Sequence, residues 1–479
     1  MKRFLCSVVV VVLTGCPSGP QAGSGGGGGS SAGGGGSSTG AGGSATNGGG
    51  SATNGGGTAT GGGSSGFAAG AVFLDNTSQG ANAREPTVLV DSAGVAHAVY
   101  SGFTANVAGV YPIRYGRCAS GCERSGSWAW VTLGDAGLFG GSGHLALGPD
   151  GHPHVAWLEQ AAIDSTATLR YATCASNCAL ADTSWQVGTI VTAPGPNVSV
   201  PQPLIGRALT VDARGHPRLV IRRETSAPTG TFVAQCDSNC LTEGSWALTP
   251  LNGDSPSSGT LLAVGTGLRL LSNPRGTLNW QECASNCTSP SSWTGTDLFY
   301  APTKYIAVAL DAQARPRVAF NLGGLGEVAL QHFSFYGWCD QGCTNVANWT
   351  NAQLPLAQGD GEEGLALAID AQGTPGVAYT TLTGLGVAVC SAGCNTSGAS
   401  WVTAEIETDT TVSAGATAPL PVNCNTGSTP KAWWYPGRGV QVALDADGNM
   451  RLVHETYVLQ QCGGGTVRES IRLPRYTQL

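Results

Sequence analysis

The sequence predicts an all-β fold, a seven-bladed propeller of four-stranded antiparallel blades standing behind a non-globular N-terminal arm. Three observations predict it. First, a Cys-x3-Cys pair with a Trp six or seven residues beyond it occurs six times: Cys118/Cys122 with Trp128, Cys174/Cys178 with Trp185, Cys236/Cys240 with Trp246, Cys283/Cys287 with Trp293, Cys339/Cys343 with Trp349 and Cys390/Cys394 with Trp401. Units that recur every 47 to 62 residues mean one supersecondary element stacked many times. Second, alternating apolar runs flank an Asp-x-x-Gly turn ahead of each Cys pair and once more near the C-terminus. Third, residues 17–66 contain 24 Gly and no charged side chain, so they bury too little apolar surface to offset their ordering entropy. The folded part is therefore 67–479.

The first 15 residues read as a targeting segment, with basic Lys2 and Arg3 followed by an apolar run from Phe4 to Leu13. The run ends in Leu13-Thr14-Gly15-Cys16, which resembles the lipobox of bacterial lipoproteins. The resemblance implies cleavage before Cys16, a diacylglycerol on its thiol and stable anchoring by two or three acyl chains. Pro17, where an Asp would signal inner-membrane retention, implies the outer membrane by the same resemblance. Residues 16–66 then form the lipidated Cys and a disordered linker, in which SATNGGG at 44–50 recurs at 51–57. Such a coil spans on the order of 40 Å. Losing Lys2 and Arg3 takes the net charge from −7 to −9. An acidic surface argues against nucleic acid, which requires a basic footprint.

Each blade is expected to start with an apolar run that leads into the Asp turn and to continue with a second run after the Gly. Examples are Val88–Asp91 with His97–Tyr100, Leu209–Asp212 with Pro217–Val220, Leu367–Asp370 with Pro375–Tyr379 and Val442–Asp445 with Arg451–Val453. Period-two runs on both sides of an Asp/Gly turn read as hairpins. Gly148 takes the Asp position in the second copy, Ala314 the Gly position in the fifth, and the fourth, around 261–271, is degenerate. The third strand ends at the first Cys and the fourth begins at the Trp. The seventh copy lacks a fourth strand, whereas Ala71–Leu74 has no neighbour before it. Closure of the ring by that N-terminal strand follows.

Cys6 leaves with the targeting segment. The fourteen cysteines beyond Cys16 read as disulfides in an exported chain: the six local pairs, plus Cys424 with Cys462. Zinc is disfavoured because four ligands would have to converge, and each pair lies on a separate repeat. Asp445-Ala446-Asp447-Gly448 lacks the further oxygens and closing Glu of a calcium loop and reads as a hairpin turn. No metal or other cofactor is expected.

A Trp following a sharp turn between strands three and four resembles the Asp-box, Ser-x-Asp-x-Gly-x-x-Trp, of sialidase-like propellers, with cysteines here in place of the Asp and Gly. The tryptophans read as inter-blade core. Both short turns of a blade fall on one face, and the longer loops fall on the other. The longest of those, 406–438, carries Cys424, Trp433, Trp434, Tyr435 and Arg438, and the loop before the sixth hairpin carries Asp360, Glu362 and Glu363. These seven residues other than Cys424 are the candidate ligand-binding set. Rigid aromatics beside an Arg suit a sugar ring or a protein partner; the competing reading is that they pack inward and cap the blade core. Arg84, Arg114, Arg222, Arg223 and Arg275 sit in no recognisable catalytic motif, and no nucleophile elbow, zinc helix or phosphate loop occurs. The expected function is binding or scaffolding for glycan or protein from the cell envelope. A sialidase-like glycoside hydrolase is the alternative; a central funnel lined by clustered Arg, Tyr and Glu would favour it, whereas a flat or uncharged mouth would favour binding.

Overall fold

The computed structural model describes residues 70–74, 84–102, 111–137, 140–141, 143–162, 165–193, 202–223, 229–251, 256, 258–301, 305–322, 333–415, 430–462 and 468–479. The Cys16 lipidation, the linker and the Cys424–Cys462 bridge lie outside the described residues.

Seven antiparallel sheets follow one another in chain order. Blade 1 consists of Arg84–Val90, Ala96–Ser101, Pro112–Cys118 and Ala129–Asp135, and blade 2 of His144–Leu147, Pro153–Glu159, Ala167–Thr173 and Gln186–Ala193. Blade 3 splits its first strand into Gln202–Pro203 and Leu209–Val211, which both pair with Pro217–Arg223, and adds Gly230–Gln235 and Ala247–Pro250. Blade 4 has Gly259–Val264, Gly267–Ser272, Thr277–Cys283 and Thr294–Tyr300, and blade 5 has Ile306–Leu310, Pro316–Leu322, Phe333–Cys339 and Trp349–Gln353. Blade 6 has Leu365–Ile369, Pro375–Thr380, Gly384–Ala392 and Ser400–Thr408. Blade 7 contributes Pro430–Leu444, Met450–Cys462 and Arg468–Gln478, and Gly70–Phe73 supplies its outer strand. That strand pairs from Gly70 with Gln478 to Phe73 with Arg475, closing the ring as expected.

The Asp of each turn acts as a local template. Oδ1 of Asp91, Asp212, Asp311, Asp370 and Asp445 accepts the N–H groups two and four residues on, at 2.7–3.0 Å. Burial raises the pKa of Asp91, Asp212, Asp311 and Asp445, but these bonds, joined by His97 at Asp91 and by Arg218, Arg317 and Arg451 at the others, outweigh it and hold all four below the ordinary value. Where Gly148 replaces the Asp, Asp150 accepts from His152 N–H at 3.0 Å instead. The degenerate fourth copy is a tight hairpin whose turn contains Gly265, at φ +60°. Ala314 adopts φ 58° where the other copies have Gly.

In blades 1, 3, 5 and 7 the residue six positions after the Asp (His97, Arg218, Arg317 or Arg451) returns to bind it. Arg218 and Arg317 hold Asp212 and Asp311 at 2.9 and 2.8 Å, and each also donates to the first Cys carbonyl of its blade. The two short turns of a blade are thereby tied together on one face.

All six local cysteine pairs are bridged as expected: Cys118–Cys122, Cys174–Cys178, Cys236–Cys240, Cys283–Cys287, Cys339–Cys343 and Cys390–Cys394, with Cα separations of 5.6–5.8 Å. The two cysteines of a pair are not equivalent. The first of each pair is buried in its blade, whereas the second sits in the turn, buried at Cys122, Cys287 and Cys343 but only half-buried at Cys178, Cys240 and Cys394. In five blades the carbonyl of that second cysteine (Cys122, Cys178, Cys240, Cys287 or Cys343) accepts the Trp Nε1–H at 2.8–3.0 Å. The indole meets an aromatic ring of the neighbouring blade edge-on, as in Tyr115–Trp185, Tyr171–Trp246, Trp280–Trp349, Tyr336–Trp401 and Tyr476–Trp128. The tryptophans therefore build the seams between blades.

The expected loop 406–438 requires correction. Its start finishes the last strand of blade 6, a short helix follows at Asp409–Gly415, and residues from Pro430 belong to a strand. Trp433, Trp434 and Tyr435 pair with Leu459, Val458 and Tyr457. The hairpin of blade 7 is longer than the alternating pattern suggests, because its outward extension carries aromatics where the other blades have ended.

Candidate functional site

The first strands of the blades converge on the axis, and their starts ring the mouth of the central channel on the face of the long loops. Glu85, His144, Gly206, Tyr305, Leu365 and Gly439 surround a cavity of about 30 Å³. Beneath it, Arg207, Val308, Leu367 and Val442 leave about 20 Å³. A water needs about 10–15 Å³ of such space, so each of these two cavities holds one or two waters. Arg207 donates to the Val442 carbonyl oxygen, and burial lowers its pKa to about 10. Burial likewise pushes His144 down to about 4, so it is neutral, and its Nδ1–H donates to Gly206 O at 3.1 Å.

Blades 6 and 7 bring the candidate residues together beside this mouth. The strand register shifts twice around Arg438, between Pro436 and Arg438 and again before Gln441. Such bulges re-aim a side chain. Arg438 reaches Glu363, with Nε to Oε2 at 3.1 Å, lies over the Tyr457 ring at 5.9 Å, and hydrogen-bonds Tyr305. Gly439 N–H donates to Glu363 O at 3.0 Å, which pins the 359–364 loop to blade 7. Gly361, at φ 84°, lets that loop turn; a Cβ there would stand 2.6 Å from Ser334 Oγ.

The other candidates divide between the surface and the interior. Tyr435 O–H donates to Thr381 O at 2.9 Å, next to Leu382, whose side chain is 71% exposed. Burial raises the Tyr435 pKa, and the Glu363, Asp360 and Glu362 charges add to the shift. Glu362 is exposed on the loop. Asp360 is turned inward: its carboxylate accepts from Ala357 N–H at 3.1 Å, its carbonyl from Ser334 and Asn321, and burial raises its pKa. Trp434 is also buried and packs on Phe73 of the closing strand at 5.3 Å, with Val412 and Val458. The side chain of Trp433 lies outside the described residues. The bridged cysteines take no part in the mouth, and neither channel cavity is lined by one. Cys122, Cys240 and Cys394 belong to the short turns of the opposite face, so their role is to hold the fold.

Three residues of the mouth have no place in the sequence expectation. Tyr305 stands at the start of blade 5, and burial is the main cause that drives its phenol up to about 12. Glu455, from the second strand of blade 7, is 2% exposed and accepts the Glu85 N–H at 2.5 Å. Glu85 itself takes φ 47°. No spacing marks these residues, since they come from blades 1, 5 and 7 and meet only through closure of the ring. Among the described residues, the resulting mouth holds Glu85, Glu363 and Glu455 around one arginine that is already paired.

No family model and no curated protein matches the chain. Solved structures with similar folds include hydrazine synthase of Kuenenia stuttgartiensis, 10% identical with a TM-score of 0.44, covering 84% of this chain and 99% of that one. The intramolecular trans-sialidase of Ruminococcus gnavus is 9% identical with a TM-score of 0.39, over 85% and 96%. The α-L-arabinanase of Penicillium chrysogenum is 11% identical with a TM-score of 0.39, over 82% and 93%. Sialidase propellers thus stand among the structural neighbours of this seven-bladed ring. At these identities the likeness concerns the fold, and fold does not determine chemistry.

Proposed function

We propose that the chain is a binding module of the cell envelope, tethered through Cys16 and the Gly-rich arm, which engages a glycan or protein partner with the mouth of its long-loop face. One observation carries this reading. Among the described residues, the acidic mouth contains a single arginine, held by Glu363 and Tyr305, above a cavity with room for about two waters. A sialidase-type reaction asks for several arginines free to clamp a carboxylate and for a tyrosine that ionises easily. Burial moves Tyr305 the other way. The rim of Leu382, Tyr435 and Glu362 instead offers an apolar side chain, an aromatic ring and a carboxylate on the same side of the mouth, a mixture suited to recognition.

The mouth nevertheless carries the Arg, Tyr and Glu expected of a hydrolase, which supports a second reading. Tyr305, Glu363 and Glu455 meet around Arg438, and paired carboxylates are the equipment of glycoside cleavage. One experiment separates the two. The purified protein is assayed on a glycan array and against a panel of fluorogenic glycosides, beside Tyr305→Phe and Glu455→Gln. The binding reading expects retention on the array and no turnover by any of the three. Turnover by wild type that either substitution abolishes would replace it with the hydrolase reading.

A further inference from the structure

On the opposite face, where the short turns lie, blades 1 and 2 part to leave a groove of about 540 Å³. That is in the range of ligand pockets, roughly 300–1,000 Å³. We propose that this groove binds a small carboxylate ligand, of dipeptide or acidic-disaccharide size, through the guanidinium of Arg117.

The internal repeats explain why the groove is open here. In blades 3 and 5 the residue six after the Asp is Arg218 or Arg317, and an Asp follows the first Cys. Each arginine spans both turns, binding Asp212 and Asp237 in blade 3 and Asp311 and Asp340 in blade 5. Blades 1 and 2 change both partners together. The arginine becomes His97 or His154, and the Asp becomes Ala119 or Ala175. The shorter imidazole cannot cover the turn. It reaches the Asp turn but not the Cys turn: His97 Nε2–H donates to Asp91 Oδ2 at 3.2 Å, and Nδ1 accepts from the Tyr115 hydroxyl at 2.6 Å. Side by side, the two imidazoles leave uncovered the Cys turns that Arg218 and Arg317 cover in blades 3 and 5.

Arg117 stands in the groove. It is the register partner of His97 and precedes Cys118. At the equivalent position of blade 3, Gln235 crosses the seam and donates to Cys287 O at 2.6 Å. Arg117 is exposed and has no hydrogen-bond or ion-pair partner among the described residues. A guanidinium presents paired N–H groups that match a carboxylate. The far wall supplies complementary chemistry. Asp150, paired with His152 at 2.8 Å and half exposed, accepts hydroxyl or ammonium donors. Leu180, 79% exposed, offers an apolar contact. A cation for the carboxylate at one side, an acceptor for hydroxyl or ammonium at the other and an apolar flank describe a site for either a peptide end or a sugar acid.

Calorimetric titration of the full chain tests this with L-alanyl-L-alanine and a uronic-acid disaccharide, each beside its uncharged counterpart, the dipeptide amide and the neutral disaccharide. Saturable binding of one carboxylate, at least tenfold tighter than its counterpart, is expected, and the compound that binds identifies the source. Arg117→Gln should abolish it while leaving the urea midpoint unchanged, because the side chain has no partner to lose. The double variant His97→Arg with Ala119→Asp, which gives blade 1 the fitting of blade 3, should also abolish binding without loss of stability. Absence of binding by both carboxylates, equal binding of the uncharged counterparts, or wild-type affinity in Arg117→Gln overturns the proposal. The groove lies on the face away from the channel mouth, so its failure would leave the reading of the mouth untouched.

Discussion

Glu407, from the last strand of blade 6, sits 1% exposed against blade 7. Arg475 donates to it from Nε and Nη2 at 3.0–3.3 Å, Thr477 donates at 3.1 Å, and His454 Nε2 lies 3.0 Å away. Arg475 also covers the ring of Phe73, whose strand closes the propeller. This buried network therefore seals blade 6 against blade 7, beside the strand Gly70–Phe73 that completes the ring. Burial raises the Glu407 pKa, but His454 and Arg475 outweigh it and bring the group from an ordinary 4.5 to about 2. The folded value lies below the unfolded one, so the contribution is fully present above pH 4.5 and is lost as pH falls through 2. At 1.36 kcal/mol per pH unit the displacement corresponds to about 3 kcal/mol, similar to the cost of breaking a buried pair. Glu407→Gln should lose about 3 kcal/mol at pH 7 in urea denaturation, and by the same linkage the gap to wild type should shrink to about 1 kcal/mol at pH 3. Comparison with the variant is needed because the turn aspartates also titrate in acid. Amide exchange at 70–73 and 475–478 should accelerate in the variant before that of blades 2 to 4. A variant within about 1 kcal/mol of wild type at pH 7, or a gap that stays constant down to pH 3, would refute this account of the seam.

Three further outcomes follow from the fold. Ala314→Gly relieves a left-handed alanine, worth about 1–2 kcal/mol less the added freedom of Gly when unfolded; a raised urea midpoint is expected, and a lowered one would show that φ 58° at Ala314 carries no strain. Trp349→Phe removes the bond to Cys343 O at 2.8 Å and should cost about 1 kcal/mol, whereas Trp349→Ala empties the seam with Trp280 and should cost about 3–5 kcal/mol; equal costs would place the indole's worth in the bond alone. Deleting 67–74 bares the hydrogen-bonding edge of Arg468–Gln478. Self-association on size-exclusion chromatography and a lower melting point are expected, and a monomer of unchanged stability would mean that the ring does not depend on its N-terminal strand.

The repeat was legible because each turn is a local device. Asp at one position and Gly three residues on specify a hairpin through contacts within five residues, and a Cys pair followed by Trp specifies the next turn in the same way. The copies that break the pattern were harder to read. Blade 4 replaces the Asp turn with a tight Gly-containing one, and the first strand of blade 7 continues outward through Trp433–Tyr435 without the alternation that marks the others. An aromatic three residues before the first Cys in blades 1, 2, 4 and 5, namely Tyr115, Tyr171, Trp280 and Tyr336, was a further periodic signal for the seams.

The candidate site was legible only in part. Arg438 and Glu363 do meet, and Tyr435 stands beside them, but Trp434 and Asp360 are turned into the fold. Exposure of a side chain depends on which neighbour packs over it, and for Trp434 that neighbour is Phe73, more than 350 residues away in the chain. Arg117 stood unremarked in the sequence because its significance is an absence, the lack of a partner that its counterpart in blade 3 possesses.

What the sequence by itself determined is the number of blades, their four-strand plan, their turns and the closing strand, because each follows from patterns within one repeat or from one repeat left incomplete. What only the tertiary structure decided is which charges face one another: Arg438 with Glu363 and Tyr305, Glu407 with Arg475, and Arg117 with none among the described residues. Closing a ring brings side chains from separate repeats to one axis or one seam, and electrostatic pairing is set by distances of a few ångströms that no periodicity encodes.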